Sequence, residues 1–272
     1  MSRLALKAET AVKATNTIPS KSSLLKDAKS LARKIFKETG KADEFARSLL
    51  DVCARARGNN FLIVHNPGGW GHARLQECLE WEKDIVAGVA DVIRNMDYTV
   101  LVTQYFRSGY GWQEEVADFR ELLRFFPNKS AKMAAWLRFI IDHVDNIKII
   151  LVGVSQGAAF GNAVMQSLGA NCPVYSIELG FPFLYKSRRA HGAKTLEIDN
   201  NGEQTDKLVE GTIFDAMGIF LAAPFKWLWY RMEGNHVSFP HCVNTPGHAY
   251  DWGNAYIRNL VKRFLETNFA VR

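Results

Sequence analysis

One stretch of the sequence, IKIILVGVSQGAAFGNAV at residues 147–164, constrains the fold more than any other. It begins as an unbroken apolar run rich in β-branched residues, which predicts a buried strand. It then passes through a glycine-flanked serine, Ser155 within GVSQG, into small residues at helical spacing. Such a strand-to-helix turn strains the backbone of its serine, and the flanking glycines avoid collisions with neighbouring strands. The stretch therefore predicts a nucleophile elbow that exposes the Ser155 hydroxyl.

Strand and helix patterns alternate on both sides of this turn. Crossover helices between strands imply a mainly parallel sheet with helices on both faces, so we predict an α/β fold. Ligands of such open sheets sit at the carboxyl ends of the strands. The apolar runs that predict strands are NFLIVHN, YTVLVTQYF, IKIILVGV, PVYSIEL, KTLEI and VSFPHCVN, and LQECLEWEKDIVAGVADVIRNM predicts a long helix.

The N-terminal part of the chain has a different pattern. Residues 1–22 are rich in Ala, Thr, Ser and Lys without clear periodicity, which predicts a loose tail. Two helical patterns follow, from Ser23 and from about Lys41, and Gly40 is the expected stop of the first. We predict an N-terminal tail and helical arm at residues 1–58 and one α/β domain at residues 59–272.

Composition limits the class of protein. A chain of 272 residues with 47% hydrophobic residues can bury a large core as one domain. The net charge of +6 is spread along the chain without a compact Lys/Arg tract, so we expect no nucleic-acid partner. A solvated basic surface is one interpretation of this charge, and a weak attraction to anionic membrane surfaces is the other. Oligomeric state stays open.

Cysteine usage and hydropathy point to a cytoplasmic protein. The chain shows no pattern of a cleaved signal, and its longest apolar stretch is interrupted by charged residues and a proline before it reaches spanning length. Widely spaced cysteines without a CxxC pair predict free thiols in a reducing compartment. These cysteines are Cys53, Cys78, Cys172 and Cys242.

Residues from about 60 to 270 resemble the α/β-hydrolase superfamily. The most specific part is GVSQGA, which is similar to the elbows of cutinases and acyl-protein thioesterases, both carboxylic-ester hydrolases. The resemblance implies an α/β-hydrolase fold with Ser155 as the nucleophile. It also implies that an acid and then a histidine follow the serine along the chain, because the serine hydroxyl needs a base and the base needs an orienting carboxylate.

Three histidines follow the elbow in the last strand-loop region. His248 is favoured, because VNTPGHAYDW lies just past the last predicted strand and before the C-terminal helical pattern, where this fold places its base. His241 lies within the strand pattern and fits a buried core residue as well. His236 is the third alternative.

The acid has three candidates as well. Asp206 is favoured because NGEQTDKLV, after the strand KTLEI, is similar to the family's pattern of glycine, short spacer, aspartate and apolar pair. Asp199 directly ends that strand, and its other interpretation is an Asx-turn. Glu178, at the end of the preceding strand, is the third candidate.

The tetrahedral intermediate of acyl transfer needs two oxyanion donors. By resemblance one is the backbone N–H of Gln156, and the second comes from the loop HNPGGWG, where Gly68, Gly69 and Trp70 are alternatives. A plain type II turn is the other interpretation of this loop. His65 is expected to orient the loop rather than to perform chemistry.

These residues predict a serine hydrolase that cleaves a carboxylic ester or thioester without metal or organic cofactor. The expected partner is a small-molecule ester or lipid-like substrate. The aromatic segment IFDAMGIFLAAPFKWLWY fits either core or the wall of an apolar acyl pocket. Arg107, in YFRSGYGWQEE, fits either a salt bridge or an anionic substrate group. The alternative function is a non-catalytic ligand-binding or scaffold protein of the same fold.

Overall fold

The structure is a computed structural model, and it describes residues 21–69, 71–108, 120–204, 206–210, 229–230, 232–233 and 247–270. The chain divides into two compact units, one that ends at Leu50 and one that runs from Asp51 to Arg272. The division after residue 58 that the sequence suggests stays a prediction. The N-terminal tail lies almost entirely outside the described residues, as do the strand pattern VSFPHCVN and all but the end of the aromatic segment.

The first unit contains helix α1, Lys21–Ile35, and most of helix α2, Thr39–Ala56. Between them Phe36 packs its ring against Phe45, with ring centroids 5.3 Å apart. Gly40 is not the stop of α1, as the sequence suggested, because it lies in the first turn of α2. The chain has already resumed helical bonding there, since the Ala42 N–H donates to the Glu38 carbonyl at 3.0 Å.

A five-stranded parallel sheet forms the centre of the second unit, with strand order β2-β1-β3-β4-β5. In the middle of the sheet β1 pairs with β3 in a register that ends with Asn66 beside Gly153. The predicted α/β fold class is confirmed, because all four strand pairings are parallel and helices connect the strands. The strands are β1 Phe61–Asn66, β2 Val100–Gln104, β3 Lys148–Val154, β4 Val174–Leu179 and β5 Thr195–Ile198.

Helices cover both faces of this sheet. Side chains of a strand alternate between faces, so Phe61 and Ile63 of β1 join the core under α3 and α7 while the intervening Leu62 is buried on the opposite face. On that opposite face α5 packs on β3 and β4, and α4 packs on α5. These helices are α3 Glu80–Arg94, α4 Pro127–His143, α5 Gln156–Leu168, the short α6 Lys207–Glu210 and α7 Ala255–Phe269.

Two details of the second unit differ from, or add to, the sequence patterns. The helix predicted from residue 75 is interrupted, with a 3-10 turn at Leu75–Glu77 before α3 begins at Glu80. Cys53, Cys78 and Cys172 are free thiols.

None of the helices within the described ranges combines the length and the apolar character that a membrane crossing requires.

Candidate active site

Ser155 occupies a strained turn between β3 and α5. Its φ of 52° and ψ of −119° lie outside the regions that side-chain-bearing residues favour. The glycines on either side are sterically required. A Cβ added to Gly157 would lie 2.1 Å from the Asn66 carbonyl oxygen, and one added to Gly153 would lie 2.5 Å from the Gly157 oxygen. The GVSQG pattern therefore forms the elbow geometry that the sequence predicts.

The elbow is fixed at the carboxyl end of the sheet. The Ser155 N–H donates to the Leu179 carbonyl at the end of β4, over 2.8 Å. Helix α5 begins at the next residue, Gln156, and the first N–H groups of a helix have no partner within the helix. The half-buried Ser155 side chain thus lies where the strand ends and a helix N-terminus meet, a position that favours developing negative charge.

His248 and Asp206 form a buried pair. The Nδ1 of His248 lies 2.7 Å from Oδ2 of Asp206, and both side chains are buried. Two further donors hold the carboxylate: the Tyr250 hydroxyl at 2.6 Å from Oδ2, and the Leu208 N–H at 2.9 Å from Oδ1. Burial alone raises the pKa of Asp206, but these hydrogen bonds, led by that of His248, outweigh it and hold the pKa below its usual value.

The imidazole of His248 borders the same end of β4 as Ser155. Gly180, which directly follows Leu179, has a φ of 62°, and a Cβ added to it would lie 2.8 Å from Cε1 of His248. On another side the ring of Trp81 meets His248 edge-on, with centroids 6.3 Å apart. Because Nδ1 of His248 is hydrogen-bonded to Asp206, Nε2 is the ring nitrogen that can accept a proton at the site.

Asp199 and Glu178 have a different partner. Arg189 donates to Oε2 of Glu178 at 2.9 Å and to Oδ2 of Asp199 at 2.7 Å. Burial, opposed by Arg189, raises the pKa of Glu178 to about 7. The structure therefore brings Asp206, and neither alternative acid, to His248. The alternative bases His236 and His241 lie outside the described residues.

The loop after β1 packs on the elbow. A Cβ added to Gly68 would lie 3.3 Å from the carbonyl oxygen of Val154, the residue before Ser155. The Gly71 N–H donates to the Gly68 carbonyl at 3.2 Å and closes a turn in which Gly69 has a φ of 53°. Gly68 thus lies beside the elbow, Gly69 follows it in the same turn, and Trp70 is outside the described residues.

His65, which the sequence predicts to orient this loop, contacts Glu82 of α3 and Gln104 of β2 through its two ring nitrogens. The Leu75 N–H donates to Oε1 of Gln104 at 2.8 Å, so the Gln104 amide nitrogen faces Nδ1 of His65 at 3.0 Å. Nδ1 is then an acceptor, and the proton lies on Nε2, which contacts Oε1 of Glu82 at 2.8 Å. This order of donors assigns the tautomer of a fully buried histidine.

Cys78 completes a cluster with metal-ligand chemistry. Among the described residues, one ligand atom each of His65, Cys78 and Glu82 lies within 4.8 Å of the others. Metal ligation needs a deprotonated histidine nitrogen, but the donor order places the proton of His65 on the nitrogen that faces the cluster. Burial and the neighbouring Glu82 carboxylate raise the pKa of the Cys78 thiol, which disfavours the thiolate. The cluster therefore fits a structural hydrogen-bond network better than a metal centre.

Tyr250 and Arg107 are the site residues whose roles the sequence analysis missed. The sequence signal for Tyr250 is its position two residues after the predicted base His248. Arg107 was expected to meet an anionic substrate group or to form a salt bridge. Its contacts include oxygen atoms of the loop after β1 and of Gln156.

Comparisons with known proteins give matches among solved structures only. No protein-family model matches the chain, and no curated protein matches it either. Among solved structures the chain is similar to Trichoderma reesei cutinase in complex with a C11Y4 phosphonate inhibitor. The two are 14% identical, with a TM-score of 0.42, over 92% of this chain and 93% of the cutinase chain.

Proposed function

We propose that the chain is a serine hydrolase that cleaves a carboxylic ester or thioester through Ser155, His248 and Asp206. The observation that carries the proposal is the buried His248–Asp206 hydrogen bond at the strand edge where Ser155 stands on its elbow. A turn alone explains the glycines around Ser155. It does not explain why a buried carboxylate with three hydrogen-bond partners orients a histidine at the same edge.

The mechanism follows from what each group accepts and donates. The Ser155 oxygen attacks the substrate carbonyl carbon while its proton passes to Nε2 of His248. The collapsing tetrahedral intermediate expels the alcohol or thiol, which takes that proton, and an acyl-enzyme on Ser155 remains. Water then attacks the acyl carbon with His248 as base, and release of the carboxylic acid restores the serine.

Asp206 supplies orientation and charge. Its low pKa keeps the carboxylate ionised, so it stabilises the imidazolium that forms when His248 accepts a proton. Its bond to Nδ1 also fixes the tautomer with Nε2 unprotonated in the resting site. The N–H of Gln156, at the start of α5, is the first proposed oxyanion donor, and the loop of Gly68, Gly69 and Trp70 provides the second.

An apolar acyl group is the proposed substrate feature. Phe106 follows β2 and Leu184 follows β4, and both side chains are about half exposed, at 47% and 52%. Loops that follow the carboxyl ends of parallel strands surround the ligand site of this fold class. Exposed apolar side chains in two such loops favour a substrate with an aliphatic chain.

A p-nitrophenyl ester series with acyl chains of two to twelve carbons tests this function. We expect wild-type kcat/KM to rise with chain length, and Ser155→Ala and His248→Ala to lower kcat by about 10³-fold or more. Asp206→Asn should lower kcat by about 10³-fold because it loses the charge and the tautomer control. Asp199→Asn is the matched control, which changes a carboxylate bound to Arg189 and should leave kcat within about threefold.

Two results would count against the proposal. A folded wild-type protein that hydrolyses no ester would favour the non-catalytic alternative, a ligand-binding or scaffold protein. Hydrolysis that survives in Ser155→Ala would assign the activity to another group. Equal or falling kcat/KM with chain length would reject the apolar acyl group but not the reaction.

A further inference from the structure

The side chain of Arg107 connects the two parts of the proposed oxyanion hole. Its Nη1 donates to the Pro67 carbonyl at 2.8 Å, and its Nη2 donates to the Gly69 carbonyl. The same Nη2 lies 3.3 Å from Oε1 of Gln156, the residue after the nucleophile. One guanidinium thus contacts the loop after β1 and the first residue of α5 together.

The surroundings of Arg107 hold the guanidinium in place. The residue is 6% exposed, and its guanidinium carbon lies 5.6 Å from the ring centroid of Phe126 and 5.9 Å from that of Phe160. Phe160 belongs to α5, so the same helix carries the nucleophile turn and part of this aromatic surface. The backbone is tied as well, because the Arg107 N–H donates to the Gly71 carbonyl at 3.1 Å.

Peptide geometry gives these contacts a consequence for the loop. Across a trans peptide the C=O and the following N–H point in opposite directions, and the described residues contain no cis peptide bond. Because Arg107 holds the Pro67 carbonyl, the Gly68 N–H points away from the guanidinium. Within the described part of the chain no acceptor takes this N–H, and Gly68 lies against the Val154 carbonyl beside the elbow.

We propose that Arg107 is a positioning residue that holds the loop after β1 in the conformation in which the Gly68 N–H serves as the second oxyanion donor. This inference rests on the proposed hydrolase function, and it takes Gly68 from the three candidates because Gly68 lies against the Val154 carbonyl beside Ser155. Arg107 acts through the loop and does not touch the substrate. A cation behind the loop also favours the negative charge that develops at the substrate oxygen.

Only arginine fits this arrangement. The planar guanidinium presents donors to several oxygen atoms at once while its face rests on aromatic rings. A lysine at residue 107 offers one ammonium group, which cannot reach both loop carbonyls and Gln156 in the same geometry. The conservative substitution is therefore expected to fail.

The test compares Arg107→Ala and Arg107→Lys with a matched arginine variant in the full-length protein. Arg138→Ala is the control, because Arg138 also donates to two backbone carbonyls, those of Ser167 and Leu168, at the far end of α5. Steady-state kinetics on one p-nitrophenyl ester separate kcat from KM, and thermal unfolding reports stability. Both Arg107 variants should lower kcat by about 10²-fold while KM changes by less than about threefold.

Chemical rescue distinguishes positioning from general destabilisation. Added methylguanidinium should restore at least about a tenth of the lost kcat in Arg107→Ala and leave wild type and Arg138→Ala unchanged. A kcat within threefold of wild type in both Arg107 variants would overturn the proposal. So would a loss of kcat in Arg138→Ala equal to that in Arg107→Ala.

Hydrogen exchange separates failure of this inference from failure of the proposed function. The Gly71 N–H closes the loop on the Gly68 carbonyl, so its exchange should quicken at least about tenfold in Arg107→Ala and stay unchanged in Arg138→Ala. An inactive wild type rejects the hydrolase function whatever the exchange shows. An active wild type with unchanged Gly71 exchange in Arg107→Ala rejects only the positioning role of Arg107.

Discussion

The Tyr250 hydroxyl donates to Oδ2 of Asp206 over 2.6 Å, which is the same oxygen that His248 contacts. Burial and the adjacent Asp206 carboxylate raise the pKa of Tyr250 far above its usual value, so the phenol keeps its proton and remains a donor. Tyr250 is fully buried and its ring lies 5.9 Å from that of Trp81. The carboxylate that orients His248 is therefore itself oriented by a tyrosine.

Removal of this hydroxyl should weaken both the site and the fold. Tyr250→Phe leaves one lone pair of the buried Asp206 carboxylate without its donor, which costs about 1–3 kcal/mol in the free energy of unfolding. We expect kcat/KM to fall about tenfold, measured on a p-nitrophenyl ester, and the midpoint of urea unfolding to drop.

The control for this variant is Tyr98→Phe, which removes a tyrosine bond to the Phe269 carbonyl at 3.0 Å. Tyr98→Phe should lower stability by about 1 kcal/mol without changing kcat. Full activity in Tyr250→Phe would show that the hydroxyl is not needed to orient Asp206.

The buried Glu178 should make stability depend on pH. Burial raises its pKa to about 7 from an ordinary 4.5, so between these values the folded state holds a proton that the unfolded state has released. The free energy of unfolding should then fall as pH rises from 4.5 to 7, by at most about 1.4 kcal/mol per pH unit.

Glu178→Gln removes this titration while its side chain still accepts a hydrogen bond from Asn162, which lies 2.9 Å from Oε1 of Glu178. Urea unfolding at several pH values should show a flatter dependence in this variant than in wild type. Identical slopes for the two proteins would refute the protonated buried carboxyl.

The elbow should tolerate a methyl group at one glycine of α5 and not at another. In Gly157→Ala the new Cβ meets the Asn66 carbonyl oxygen at 2.1 Å, a backbone atom that cannot rotate away. In Gly161→Ala the nearest atom is Nδ2 of Asn66 at 3.4 Å, an ordinary contact.

We expect Gly157→Ala to lose at least about 2 kcal/mol of stability and most of its activity. Gly161→Ala should be neutral or up to about 1 kcal/mol more stable, because alanine favours the helix. Thermal unfolding and ester hydrolysis check both. Equal tolerance of the two substitutions would mean that α5 does not approach β1 as described.

The hydrogen bond between Glu82 and His65 should contribute more to the free energy of unfolding than the surface ion pair between Glu80 and Lys83. Glu82→Ala leaves the buried Nε2 proton of His65 without an acceptor and should cost about 1–3 kcal/mol. Glu80→Ala breaks an exposed pair with Lys83 and should cost less than about 1 kcal/mol. Urea unfolding of the two variants gives the comparison, and equal costs would contradict the assigned network.

The sequence predicts best those residues whose conformation is determined by their neighbours along the chain. A serine between a β-branched run and small helical residues specifies the elbow, because the glycines and the turn lie within five positions. The parallel sheet follows from strand patterns separated by crossover helices, and five of the predicted strands are present. Helix boundaries were less accurate, as Gly40 shows, since a glycine with open space around it is compatible with a first helical turn.

The sequence favours Asp206 only by its resemblance to a family pattern, because the residues alone do not show which acid reaches the histidine. Glu178 and Asp199 end neighbouring strands, and the carboxyl ends of neighbouring parallel strands lie side by side, so one arginine can bind both. Asp206 lies eight residues after the end of β5, and its contact with His248 depends on the path of the loop between them. No local pattern reports the path of that loop or the contacts of Arg107.

The most direct test of the hydrolase function is the intact mass of the protein after reaction with a fluorophosphonate probe. We predict one adduct per wild-type chain, located at Ser155 by peptide mapping, absent in Ser155→Ala and at least about 100-fold slower to form in His248→Ala. An unmodified wild-type protein that is folded, or equal labelling of Ser155→Ala, would contradict an activated serine at the elbow.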